Sequence, residues 1–226
     1  DKQCLFPKPC ENLDVSHQDL LKTLEEARKI PKVKKVFIRS GLRYDYLMLD
    51  KDKSVIDKLC KHNISGQLKT APEHVSEMVL KHMGKPSFSV YCDFKKRFEE
   101  ANIKAGLKQY ILPYFISGHP ASTITETIKL TEYLIDSKFV PEQVQDFYPT
   151  PGTLSTCMYY TGFNPLTNKE VYVPKDIEEK KLQRALLQYS KKENYELVLK
   201  ALKKENRYDL IGYGPKALIK PRQKKH

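Results

Sequence analysis

Helical and extended patterns alternate along the first two thirds of the chain, and this alternation restricts the fold more than any other feature. Leu20, Leu21, Leu24, Ala27 and Ile30 recur at helical spacing after Ser16, until Pro31 interrupts them. Residues 33–38, Val-Lys-Lys-Val-Phe-Ile, are rich in β-branched side chains and predict a strand that exits at Gly41. Further helices are expected over 52–62, 75–83, 87–105 and 123–137, and further strands over 67–70, 109–117 and 143–148. The 109–117 run is continuously apolar, which suits a strand buried on both faces of a parallel sheet. Strands separated by helices imply right-handed crossovers and an α/β class. Four strands are too few for a closed eight-stranded barrel, so the sheet is expected to be open or to be part of an incomplete (β/α) barrel.

The character changes after Thr153. Residues 159–165 look like a loop, 178–189 and 195–204 like amphipathic helices, and 216–226 like a basic, unpatterned end. From Lys175 onward there are 15 Lys or Arg and 7 Asp or Glu, a net of +8 against +12 for all 226 residues. The expected division is therefore 1–153 for the sheet-containing part and 154–226 for a mainly helical, basic extension.

Composition excludes several classes. With 40% hydrophobic and 30% charged residues the chain can build a core, unlike a disordered sequence. No uncharged apolar run approaches the roughly 18 residues of a membrane span. The five cysteines are an odd, dispersed set. Such a set does not read as a secreted disulfide framework, and the start at Asp1-Lys2-Gln3-Cys4 has no signal-peptide pattern, so a reducing cytoplasm is expected. Cys60, Cys92 and Cys157 sit beside apolar positions and are expected to be small buried hydrophobes.

In parallel α/β sheets, ligands bind beyond the carboxyl ends of the strands. The segments there are polar and punctuated: Arg39 to Asp45, Ala71-Pro72-Glu73-His74, Ser117-Gly118-His119-Pro120, and Pro149-Thr150-Pro151-Gly152-Thr153. They collect Arg, Glu, His, hydroxyls and glycine-exposed backbone, groups suited to a ligand with a carboxylate, hydroxyls and a flat polar ring. Loops are commonly polar for no functional reason, so position alone leaves both readings open.

Longer strings carry a resemblance. Cys4-Leu5-Phe6-Pro7, Cys10-Glu11-Asn12-Leu13, the run 33–45, Leu68 to His74, Gln109 to Pro120, Gln143 to Pro151, Met158 to Gly162 and Asn164-Pro165 together resemble the YgiQ-type radical S-adenosylmethionine (SAM) proteins over nearly the whole chain. The segment 143–153 is also similar to tRNA methylthiotransferases. The resemblance implies the carboxyl-terminal part of a TIM-barrel-like (β/α)6 radical SAM barrel, followed by the family's C-terminal domain. It implies an enzyme whose intact form carries a [4Fe–4S] cluster, cleaves SAM reductively and takes its electron from a reductant such as flavodoxin or ferredoxin. Cobalamin is a further possible cofactor of the parent. The Cys-x3-Cys-x2-Cys loop that binds the cluster is absent from these residues, so this piece by itself is expected not to cleave SAM.

Carried over residue by residue, the resemblance places Ser40 and Arg43 at the SAM carboxylate and Glu73 and His74 at ribose hydroxyls or substrate. It places Ser117, Gly118 and His119 against the adenine, and Thr150 and Gly152 at the adenine edge. Cys4 and Cys10 have two readings, half of an auxiliary metal site or two free thiols. Tyr159 and Tyr160 have packing and substrate stacking as alternatives. The competing function is a binding module for RNA or an acidic partner, acting through the basic last quarter.

Overall fold

The computed structural model of the chain describes residues 4–222. The expectations for Asp1-Lys2-Gln3 and for the last four residues of the basic end lie outside the described residues. In chain order the elements are α1 (Gln18–Lys29), α2 (Tyr44–Leu49), α3 (Val55–His62), β1 (Gln67–Glu73), α4 (Glu77–Met83), α5 (Phe88–Ala105), β2 (Tyr110–Ser117), α6 (Ile124–Asp136) and β3 (Gln145–Asp146). There follow α7 (Leu154–Thr161), β4 (Phe163–Asn164), β5 (Lys169–Glu170), α8 (Ile177–Leu187) and α9 (Tyr195–Lys204). β1, β2 and β3 form a sheet in that order, with β2 and β3 parallel and Ile116 opposite Gln145. β4 and β5 make a short antiparallel hairpin. The class is α/β, as the alternation requires.

Two compact units are present. One holds the residues up to Glu73 with Gly84–Tyr114; the other holds His74–Met83 and the chain from Phe115 onward. In the first unit α5 is the organising helix. Ser87 caps it by accepting a hydrogen bond from Ser89 N–H, and Gly106 ends it at φ +64°. Its Tyr91, Phe94, Phe98 and Ala101 are buried at helical spacing. Tyr44 of α2 meets Tyr91 edge-on at 5.4 Å and lies 5.9 Å from Phe94. Asn102 Nδ2 donates to Phe98 O at 2.9 Å, and Gln109 Nε2 donates to Cys60 O and Ile64 O at 2.9 and 3.0 Å. His17, at the N-cap position of α1, is buried and lies 2.9 Å from Asp50, whose carboxylate also accepts the His17 N–H.

The second unit is built on α6, α8 and α9. Ile124, Ile128, Leu182, Leu186, Val198 and Leu202 share one buried cluster with Leu210, Leu218 and Ile219. The supposedly unpatterned end therefore contributes core residues: Leu218 N–H donates to Leu210 O at 2.8 Å, and Ile219 bridges Ile211. A smaller cluster joins Phe115 at the end of β2 to Leu130, Leu134, Val144 and Leu187. Residues on both sides of position 153 thus pack into common cores.

Three local expectations are corrected. Residues 33–38 are extended but form no strand; the contacts there are Ile38 N–H to Asn63 O (2.9 Å) and Asn63 Nδ2 to Val36 O (3.0 Å). β-branched composition supplies propensity, but a strand also needs a continuous ladder partner. β2 is not buried on both faces, since Tyr110 and Tyr114 are exposed and only its carboxyl end is covered. Residues 159–161, expected to begin a loop, instead close α7, which is capped by the Thr153 hydroxyl on Thr156 N–H.

Candidate functional site

The best-defined polar constellation lies in the second unit, where the chain leaves β2. Gly118 has φ +71°, a conformation glycine adopts without the Cβ penalty, and it turns the chain sharply toward His119. Its N–H donates to Gln183 Oε1 at 3.1 Å. Gln183 is fully buried on α8; it also accepts from Ser122 Oγ and donates to Ser122 O (2.7 Å) and Glu179 Oε1 (3.1 Å). Glu179 in turn accepts from the Tyr172 hydroxyl at 2.5 Å. The β2 exit is thereby tied to α8 through satisfied buried groups, a rigidifying arrangement.

His119 is buried and its ring is held at both nitrogens. Nδ1 lies 2.6 Å from Pro120 O and Nε2 2.8 Å from Ser155 Oγ. A carbonyl only accepts, so Nδ1 carries the proton and Nε2 accepts from the Ser155 hydroxyl. Burial pushes the His119 pKa down to about 4, only partly offset by the Pro120 carbonyl, so the ring is neutral at pH 7 and a weak base. Phe147 meets it edge-on at 5.0 Å, Tyr159 lies 5.7 Å from Phe147, and Tyr160 meets Tyr159 at 5.3 Å. Lys180 donates to the Tyr159 hydroxyl at 3.0 Å with its ammonium 5.1 Å from the ring. Ser117 donates to Asp146 at 2.5 Å across the β2–β3 pair, and Asp146 also pairs with Arg184. The group can present a neutral imidazole and hydroxyls beside an aromatic wall.

Among the described residues His74 is the other buried imidazole of this unit. Its Nδ1 accepts from Ser76 N–H at 3.0 Å, so Nε2 bears the proton, and that N–H has no partner among the described residues. Burial drives its pKa to about 3, against the opposing pull of Glu126. Glu126 places one oxygen 2.8 Å from Lys129 and buries the other.

The sequence-derived site residues divide between the units. Ser40, Arg43 and Glu73 belong to the first, and His74, Ser117, Gly118, His119, Thr150 and Gly152 to the second. Ser40 is exposed. Arg43 makes a two-pronged pair with Asp45 at 3.1 and 2.6 Å, so its guanidinium already faces a carboxylate. Glu73 has φ +64°, unusual for a residue with a Cβ, and pairs with Lys85 at 2.9 Å. Thr150 and Gly152 form the exposed turn before α7, where Thr150 O accepts from the Thr153 and Thr156 hydroxyls. Sequence reasoning missed Ser155, Asp146, Gln183 and Lys180. Only Ser155 left a trace, in the cap signature Thr153-Leu154-Ser155-Thr156.

Among the described residues no three His, Cys, Asp or Glu side chains could together hold a metal ion. Cys4 and Cys10 are exposed and free, with Cys10 N–H donating to Cys4 O at 2.8 Å. Cys60 is buried as expected and its thiol is pushed up to about 12 by that burial, whereas Cys92 is exposed and Cys157 half-buried. These residues do not fit a [4Fe–4S] cluster. Of the groups proposed for SAM, Arg43, Glu73, Ser117 and the Gly118 N–H are engaged within the protein.

The family described as "Domain of unknown function (DUF3362)" matches residues 142–226, from just before β3 to the end. A protein of Clostridium botulinum (strain Okra) is 56% identical over 219 residues, 97% of this chain and 34% of that protein. One from Methanocella arvoryzae is 56% identical over 221 residues, 98% of this chain and 37% of its own. One from Clostridium perfringens (strain 13) is 54% identical over 97% of this chain and 33% of its own. These relatives are named UPF0313 proteins. The chain spans about a third of the length of the UPF0313 relatives it matches, and the similarity runs through both compact units. No helix among the described residues is long and apolar enough to cross a membrane.

Proposed function

We propose that this chain is the carboxyl-terminal portion of a radical SAM iron–sulfur enzyme of the UPF0313 type. The intact protein would cleave SAM reductively and act on a substrate still to be identified. In that reading the chain supplies part of a (β/α) barrel rim and the C-terminal extension. The cluster would be held by residues beyond these 226, and the reductant would be a flavodoxin- or ferredoxin-like protein. The observation that carries the reading is where the family-like strings fall. Glu73-His74 ends β1, Ser117-Gly118-His119 ends β2, and 149–153 follows β3, the strand ends at which parallel sheets bind ligands. When bound, the cluster and SAM supply the electron transfer and the radical; His119, Ser155 and the Phe147–Tyr159 wall would shape and desolvate the neighbouring space.

The test uses a full-length relative, anaerobically reconstituted with iron and sulfide and given SAM and dithionite. The expected result is cluster absorption together with 5′-deoxyadenosine. A protein that gains no cluster and forms no 5′-deoxyadenosine overturns the proposal.

In the competing reading, RNA binding by the last quarter, part of the positive charge is already neutralised within the protein. Arg184, Lys200, Arg207 and Arg222 are paired with Asp146, Glu178, Glu132 and Glu196, respectively.

A further inference from the structure

A separate cluster of cations without ion-pair partners among the described residues lies within the first unit. Arg28 in the last turn of α1, Lys34 and Lys35 in the extended segment, Lys61 in the last turn of α3 and Lys108 before β2 line one open cleft of about 560 Å³. Among the described residues no carboxylate lines it. None of the five makes an ion pair among the described residues, although the Glu25 carboxylate, paired with Lys29, also feels the Arg28 charge. Two helices end here, and their carboxyl-terminal dipoles favour cations. Those dipoles together amount to roughly one negative charge, against five positive side chains. The excess is felt locally: burial and then the nearby Arg28 and Lys61 charges hold the His62 pKa below its usual value.

An aromatic ring lies among the cations. Phe37 is 40% exposed in the same lining, with the Lys35 ammonium 5.8 Å from its centroid. A phenylalanine that open leaves part of its ring surface available beside the lysines of the cleft. Phosphates need clustered, unpaired cations, and an unstacked base needs a free aromatic face; the two together are the features of single-strand recognition. A duplex would hide its base faces, and an acidic protein would leave the ring without a purpose.

We infer that this cleft binds a single strand of nucleic acid, with phosphates on Arg28, Lys34, Lys35, Lys61 and Lys108 and a base stacked on Phe37. The site is independent of the strand-end constellation and of the basic last quarter. Chain and ligand meet through charge and stacking, so sequence preference is weak and salt dependence strong.

The full chain is titrated with a labelled oligouridylate RNA and, separately, with an oligothymidylate DNA across a salt series. The expected log–log slope lies between about −2 and −3.5, from roughly 0.7 per phosphate contact on a single strand. Lys34→Glu with Lys35→Glu weakens binding at least about tenfold and makes the slope shallower by about 1.4. Phe37→Ala weakens binding about tenfold and leaves the slope unchanged. Lys108→Glu, on a different segment of the cleft, repeats the loss and guards against a local folding effect. Equal affinity for both strands, or preference for RNA through its 2′-hydroxyls, supports the assignment. It is overturned if neither strand binds, if the slope is flat, or if uridine monophosphate displaces the strand as well as an unlabelled oligomer does. It is equally overturned if Lys34→Glu with Lys35→Glu changes nothing while Lys216→Glu with Lys220→Glu abolishes binding.

Discussion

The Ser155 hydroxyl donates to His119 Nε2 at 2.8 Å, joining the amino-terminal turn of α7 to the exit of β2. With Nδ1–H on the Pro120 carbonyl, both ring nitrogens are satisfied and the tautomer is set. Ser155→Ala removes the only donor to Nε2 among the described residues. The expected loss is about 1–2 kcal/mol of unfolding free energy, the cost of a buried acceptor left without its partner. Urea unfolding at neutral pH checks it; an unchanged midpoint would mean that water replaces the hydroxyl.

His74 and His119 make stability fall on acidification. Their folded pKa values, about 3 and about 4, lie below the ordinary 6.5. The unfolded chain therefore binds more protons than the folded one between pH 6.5 and pH 3. The stabilising effect is complete above pH 6.5 and is lost progressively as pH falls toward those values. Each histidine adds a slope approaching roughly 1.4 kcal/mol per pH unit inside its window. His74→Asn keeps an acceptor for the Ser76 N–H and removes the titrating group. Urea midpoints measured between pH 7 and pH 4 are expected to fall less steeply for the variant than for the parent.

Gln183 holds four hydrogen bonds with no solvent exposure. Gln183→Leu preserves bulk but strands the Gly118 N–H and the Ser122 carbonyl. The expected cost is about 2–4 kcal/mol, from two buried groups left unsatisfied. Gln183→Met, similar in shape and equally unable to replace the donors, should behave alike, which separates lost hydrogen bonding from misfit. Thermal and urea unfolding provide the measurement.

In the first unit, Phe94 is fully buried between Tyr44 and Phe98, at 5.9 and 6.2 Å between ring centroids. Phe94→Ala opens a cavity under α5 and is expected to cost about 3–5 kcal/mol. Phe94→Leu fills most of it and should cost less than half as much. Equal losses for the two would show that aromatic geometry, and not volume, sets the packing there.

Gly118→Ala tests the turn itself. The new Cβ would meet Lys180 Cγ at 3.9 Å, an ordinary contact, so the penalty comes from φ +71° alone. About 1 kcal/mol is expected. A much larger loss, read from the same unfolding curves, would point to a shift of the Gly118 N–H away from Gln183.

Much of the architecture is legible in local pattern. Leu20 to Ile30 specify α1, Tyr91, Phe94 and Phe98 specify the buried stripe of α5, and Thr123 with its bond to Glu126 N–H starts α6. Local chemistry misleads where the deciding partner is remote. Val33 to Ile38 have strand composition but no ladder partner, and Leu218 and Ile219 look like a tail until α6, α8 and α9 surround them. The candidate site was half visible. The punctuated strand ends pointed to Ser117, Gly118 and His119, but not to Gln183 or Ser155, which reach them across 65 and 36 positions.

Amphipathic periodicity, caps and the order of strands and helices are properties of neighbouring residues, so the amino-acid string alone determined the α/β class and most helix positions. Which side chains meet is a property of closed loops, and only tertiary packing decided it. That packing paired the last-quarter cations Arg184, Lys200, Arg207 and Arg222 with carboxylates. It also drew Arg28, Lys34, Lys35, Lys61 and Lys108 to one cleft with no carboxylate among its described lining residues. Charge counted along a chain says where cations are attached; their potential depends on distance in space, and distance is what folding sets.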